Sequence, residues 1–443
     1  MRERSGNICA ESYLHFKKLQ KTFKHMKIFI AFVIAICIHM PLSAQSDLRI
    51  IWDENQSSIA NAENLLSIHQ AIYQFSNQHL KTTYWDDSSF KGKALGIGYR
   101  LTKTILLDYQ VDYLAHLYQH EVFGHGYRFR EFGFEDNSYN INAFLPYGSS
   151  GGFAAWGTRQ GGRLGVHENI AVSSGGMEAS TILAKTLRNR WLFEGKINYR
   201  ESLLYISTFN DYTGYIWSTR LFDRNNAGND VNRYLRQVNV SYGYPNEALY
   251  ALNLNDISNR ALVNFANTFQ LFAIYTYLKI YLYDAEEIFE YPMISINELK
   301  YLPAIRFGLT PFGSEFIFEN YIKTEKEIAK LEFRIGDQIL DQFWGGGISI
   351  HKKFAQNIQA GFSIDGWSQP SMELSDVRPF WTASGFGGRV LGEISLHTKN
   401  DFPIGLYSQF GYKTTGFIEG EQLDKGLILR LGLSVQVSDT KGN

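Results

Sequence analysis

The sequence predicts an α+β protein, a mainly helical region followed by an antiparallel, β-barrel-like C-terminal half of about eight strands. Two patterns carry that expectation. Before about residue 300 the apolar residues recur at helical spacing, and after it they alternate with polar ones at period two. A third feature bounds both, because the 443-residue chain opens on a segment that reads as an export signal. The expected division is a presequence over 1–44, a helical region over 45–300 and a β-rich region over 301–443.

The opening segment has the parts of a signal peptide over 26–44. Met26-Lys27 precedes the apolar run from Ile28 to Ile38, and Leu42-Ser43-Ala44 supplies small residues for cleavage. Met26 is a second candidate start, and the apolar run is too short for a spanning helix. Export follows, to the outer membrane or else the periplasm. Both cysteines, Cys9 and Cys37, lie in this segment, so a metal in the processed chain must use His, Asp or Glu. Ile36 before Cys37 argues against a lipoprotein. Removing seven cations and two acids takes the net charge from −1 to about −6, which excludes nucleic acid as the expected partner. Aromatics make up 15% of the chain, chiefly 27 Tyr and 32 Phe, which suits a membrane interface or an aromatic-rich core.

An imperfect apolar stripe from Ile59 to about Leu80 predicts the first helix, and residues 94–101 fit either a strand or a helix entry. The next helix runs from Thr104 to about Phe132. Residues 136–176, rich in Gly, Ser, Asn and Tyr, read as a long functional loop that would wall a substrate site. Ser173-Ser174-Gly175-Gly176 ends the loop and opens a helix from Met177 to about Arg190. Further helices are expected near 198–219 and 257–285. In the latter, Ala261 to Leu278 carries no charge, but Asn264, Asn267, Thr268 and Gln270 interrupt it, which favours a buried or interfacial helix over a spanning one.

Strands are expected near 303–310, 314–323, 329–336, 343–352, 356–365, 385–397, 402–412 and 426–437. The last is the clearest. Leu427, Leu429, Leu431, Leu433, Val435 and Val437 share one face, and Ile428, Arg430, Gly432, Ser434 and Gln436 share the other. Such strands in an exported chain point to an outer-membrane β-barrel, and the alternative is a soluble sheet packed on the helices.

The helix from Thr104 concentrates the chemistry. His116, His120 and His125, three of the eleven histidines, lie within ten residues, with Glu121 beside the second. Paired imidazoles with an adjacent carboxylate suit a zinc hydrolase, with nitrogens for the metal and a base for its water. The usual ligand spacing is i, i+4. Here it is i, i+5, which on an ideal helix sets His120 and His125 about 140° apart. A π-bulge would reunite them, and Gly124 stands where one is needed.

His120-Glu121-Val122-Phe123-Gly124-His125 resembles the His-Glu-x-x-Gly-His motif of the dipeptidyl-peptidase III family of zinc peptidases. The likeness is one of site, over six residues and a later glutamate. It implies zinc held by His120 and His125, Glu121 as general base, and a glutamate on a following helix as third ligand. Glu178 is the candidate, behind a Gly-Gly that permits close backbone approach. His167 and Glu168 in the loop are alternatives. His116 and His120, at i, i+4, are an alternative ligand pair; otherwise His116 is read as an outer partner of the ligands or as core, and Arg128 and Arg130 as a substrate clamp or an ion-paired face. The function expected is an exported zinc metallopeptidase acting on a peptide or other amide. The alternatives are a non-catalytic outer-membrane barrel for transport or binding, and a zinc hydrolase of lipid or cell-wall substrates.

Overall fold

The structure, a computed structural model, describes residues 46–85, 87–142, 151–159, 164–226, 228–336, 339–340, 342–355, 357–375, 385–398 and 404–437. The expected presequence with both cysteines lies outside them, as does part of the long loop.

Strand β1 (Ser46–Trp52) leads into helix α1 (Ser58–His79), whose first turn is capped by Ser57 accepting from Ala60 N. Helix α2 is an unbroken run whose successive segments are Phe90–Lys103, Thr104–Asp108, Tyr109–Leu117, Tyr118–His125 and Gly126–Glu131, the second and fourth being π-helical. A small hairpin follows, β2 (Ser138–Ile141) with β3 (Gly152–Ala155). Then come α3 (Val166–Glu194), α4 (Tyr199–Phe209), α5 (Asp211–Leu221), α6 (Asp230–Ser241), α7 (Leu254–Ala261) and α8 (Thr268–Tyr275), the last continuing as a π-helix over Thr276–Tyr283.

The C-terminal strands are β4 (Ile294–Ile296), β5 (Leu299–Thr310), β6 (Gly313–Lys323), β7 (Glu327–Gly336), β8 (Trp344–Ala355), β9 (Ile358–Ser368), β10 (Phe386–His397), β11 (Ile404–Lys413) and β12 (Gly426–Val437). They form one antiparallel ten-stranded sheet in the order β1-β12-β11-β10-β9-β8-β7-β6-β5-β4. The eight expected strands are all present, joined by β4 and by β1 from the other end of the chain. The closed barrel is not. Instead, β1 and the part of β5 beyond its short partner β4 turn their free backbone groups to helix side chains. Asn64 and Ser67 of α1 bond N and O of Ile51 and Arg49 at 2.7–2.8 Å. On β5, Asn264 accepts from Phe307 N at 2.8 Å, while Asn267 and Thr268 donate to Ile305 O and Pro303 O at 2.8 and 2.6 Å. The polar residues that interrupt the apolar run 261–278 therefore seal a sheet edge.

Polarity is inverted across the sheet. One cross-strand row reads Leu331, Ile348, Ile364, Val390, Tyr412 and Leu427, all exposed. The next row faces the other way and reads Glu319, Glu332, Gly347, Asp365, Arg389 and Lys413. Helix α3 crosses this charged concave face, and its 29 residues span about 43 Å. Its Arg188 pairs with Glu319 and its Lys185 with Glu419, which also holds Arg306. Buried charges persist only when paired, and these are. The main apolar core joins α1, α3 and α4 to β5 and β6, through Leu66, Leu187, Trp191, Leu204, Leu302 and Tyr321. The regions before and after residue 300 thus share one core.

Candidate metal centre

The site forms where α2 crosses α3. Over Tyr118–His125 the helix is π-helical, with Gly126 N bonded to Glu121 O, an i→i+5 closure. Residues five apart then overlie one another, and the rings of His120 and His125 come to 5.1 Å between centroids. The widened turn needs room, and three glycines give it. A Cβ on Gly124 would stand 2.6 Å from Gly175 O, and one on Gly176 would stand 2.3 Å from His120 Nε2. Gly175 and Gly176 are not the end of a loop as the sequence suggests. They lie inside α3, where glycine costs about 1 kcal/mol relative to alanine, and they permit the close crossing.

Each imidazole has its outer nitrogen occupied. His120 Nδ1 is 2.7 Å from Asp211 Oδ2, and His125 Nδ1 donates to Val172 O at 2.7 Å. Such partners fix the tautomer that leaves Nε2 for a metal. Both Nε2 atoms converge on Asp230 Oδ2, at 3.9 Å for His120 and 3.1 Å for His125. These three donor atoms lie within 4.8 Å of one another, as do those of His116, His120 and Asp211. In the second group His120 offers Nδ1 to the oxygen that His116 approaches at 3.4 Å, so Asp211 holds both rings in place. Burial opposes the imidazolium form of His120, but Asp211 and Asp230 outweigh it and hold its pKa well above 6.5. His125 is raised likewise, by Asp230 against its own burial. Asp230, despite burial, is held below the usual carboxylate range by His125 and His120. Two carboxylates around two rings with their outer nitrogens satisfied form a pocket made for positive charge, and the donor set fits a divalent metal.

Asp230 and Asp211 were not found from the sequence. Asp230 opens α6 behind its cap Asn229, and Asp211 opens α5. Each stands in the first turn of a helix, where an acidic residue is ordinary, and no spacing ties either to the histidines 91 to 105 residues away.

Glu178, the expected third ligand, stands outside both donor groups. Both its oxygens bond Arg128 at 2.8 Å, and Oε1 also accepts from Gly420 N at 2.7 Å. Two residues along a helix turn by about 200°, so with Gly176 facing His120, Glu178 faces away from the imidazoles. Of the alternatives, Glu168 accepts from Gly165 N at the start of α3. His167 accepts from Glu373 N through Nδ1, and burial pushes its pKa down to about 4. Arg128 and Arg130 are both engaged by groups of the protein. Arg128 is buried between Glu178 and Glu131, and Arg130 bonds the backbone oxygens of Asn55, Gln56 and Val122.

A cavity of about 550 Å³ opens over the donor atoms, a size that suits a small substrate. Glu121 lines it beside both histidines, outside the metal-donor group. Gly152 of β3 covers Glu121 so closely that a Cβ there would lie 2.8 Å from Glu121 Cγ. Tyr215 Oη donates to Asp230 Oδ2 at 3.3 Å, and burial, with Asp230 adding to it, keeps the phenol protonated. Arg233 is the one lysine or arginine among the described lining residues. Comparison with protein-family models, with curated proteins and with solved structures finds no match for this chain.

Proposed function

We propose that the chain is a zinc-dependent hydrolase of peptide or other amide bonds, with His120, His125 and Asp230 as metal ligands and Glu121 as general base. The observation that carries this reading is the meeting of two Nε2 atoms and one carboxylate oxygen, with both outer nitrogens held and a separate glutamate beside them. Two imidazoles and a carboxylate are a set zinc accepts while keeping a position open. Zinc bound there supplies a Lewis acid and makes a water acidic near neutral pH. Glu121 takes the proton of the attacking water and returns it to the leaving amine. Tyr215 has a single O–H, and by turning it from Asp230 Oδ2 it would donate to the oxygen on which charge develops. The motif resembles that of the dipeptidyl-peptidase III family at His120, Glu121 and His125, and departs from it in taking Asp230 where that family uses a glutamate.

Glu121→Gln tests the assignment. The amide keeps the shape and removes the base, so turnover of a peptide substrate should fall about 10²- to 10⁴-fold with zinc retained. Retained turnover in Glu121→Gln would refute the role. Turnover of cell-wall or lipid esters and amides alone would keep the site and change the substrate class.

The second part of the reading is attachment to the outer membrane through the convex face of the sheet. The exposed apolar row from Leu331 to Leu427, backed by the charged concave row, is the polarity of a membrane barrel.

A further inference from the structure

A sheet with two open edges is poorly suited to lipid, because hydrocarbon satisfies no backbone group. Side chains bond the backbone along β1, from α1, and along the part of β5 that β4 leaves uncovered, from the segment 264–268. The helices that supply those side chains also reach each other. His69 of α1 is 2.6 Å from Asp112 of α2, and Tyr73 Oη donates to Asp108 O at 3.2 Å. Arg100 of α2 donates through Nε to Leu282 O, in the π-helical continuation of α8, at 3.1 Å. A continuous ring of contacts therefore runs from β1 through α1, α2 and α8 to β5.

We propose that these helices are the missing wall of the barrel and that their outer side chains face the same bilayer hydrocarbon as the convex face of the sheet. This rests on the membrane attachment proposed above and extends it to the helical half of the chain. Ile72 and Phe75 on α1, Ile105 and Leu106 on α2, and Leu271 and Leu278 on α8 and its continuation are each 41–60% exposed. The buried side of the same ring mixes apolar residues such as Leu66, Phe269 and Ala273 with a polar group, His69, Arg100, Lys103, Asp108 and Asp112. An apolar outer side with charged groups behind it is what the sheet displays, and the helices carry it round. The dimensions agree. Thr268 to Tyr283 is sixteen residues of helix, at most about 24 Å because its second half is π-helical, against an outer-membrane apolar band of about 25 Å. Among the described residues no helix is long and apolar enough to cross a membrane by itself, which suits helices that line a wall, with one face in lipid and one against protein.

The test uses single cysteines, since Cys9 and Cys37 are the chain's two native thiols and are replaced by serine. Cysteine is placed at Phe362 and Leu406 on the sheet, at Phe75, Leu271 and Leu278 on the helices, and at exposed Asn246 as a water-facing control. Each carries a bimane label in vesicles of phosphatidylethanolamine and phosphatidylglycerol, quenched either by nitroxide on the acyl chain or by aqueous iodide. The proposal expects sheet and helix positions alike to lose most of their fluorescence to the acyl-chain nitroxide and little to iodide, with Asn246 the reverse. Quenching by lipid at Phe362 and Leu406 but by iodide at Phe75, Leu271 and Leu278 would overturn the helical wall and leave the membrane-bound sheet standing. Iodide quenching at every position would overturn both. Tyr275, 46% exposed on α8, provides a second position there should one variant misfold.

Discussion

His120 carries two partners at once, Asp211 on Nδ1 and the Asp230 group on Nε2, and the two predict different losses. Asp211→Asn keeps the ligands and loosens their orientation, so zinc affinity should fall about 10- to 100-fold by competition with a chromogenic chelator. Proton competition has a definite sign. Zinc must displace the proton that the carboxylates hold on His120 above pH 6.5, so apparent affinity should rise with pH through neutrality, and a titration across that range checks it. Glu178 belongs to stability instead. Glu178→Ala strips a buried partner from Arg128 and should cost about 3–5 kcal/mol in chemical denaturation, with zinc stoichiometry unchanged. His120, His125 and Glu121 were legible as a group because they share one helix and one spacing rule. Asp230 and Asp211 were not, because their meeting with His120 is made by the packing of α5 and α6 and leaves no local pattern.

The two crossing helices are where backbone geometry makes the site. The spacing His120 to His125 demanded either no metal or a π turn, and the π-helix over Tyr118–His125 is the second outcome. Gly176→Ala should therefore abolish zinc binding in a folded chain, since the added methyl occupies the place of His120 Nε2, at 2.3 Å. Circular dichroism with metal analysis separates that result from unfolding. Helix α3 was anticipated only from Met177 because Ser173-Ser174-Gly175-Gly176 has the composition of a loop. Tertiary contact overrides that propensity here, since small residues are what the crossing with α2 requires. The eight strands from β5 to β12, apart from their ends, were readable from period-two alternation because each has one apolar and one polar face.

Across the whole molecule, the sheet takes its character from what fills it. Alternation along each strand was visible, but what covers the free backbone of β1 and β5 was not, because it depends on side chains far away in sequence: Asn64 and Ser67 on β1, Asn264, Asn267 and Thr268 on β5. β1 is short and lies far from its partner β12, with no repeat to announce it. The resulting body has a charged sheet face crossed by α3, an exposed apolar sheet face, and a cavity where α2 and α3 cross whose side chains could hold a metal. Whether His120, His125 and Asp230 together hold a metal is read from the zinc content of the purified chain by mass spectrometry, wild type beside His125→Ala, Asp230→Ala and Glu178→Gln. About one zinc per chain is expected in wild type and Glu178→Gln, and loss in the other two. Zinc retained in Asp230→Ala but lost in Glu178→Gln would contradict this ligand set and return the third ligand to Glu178.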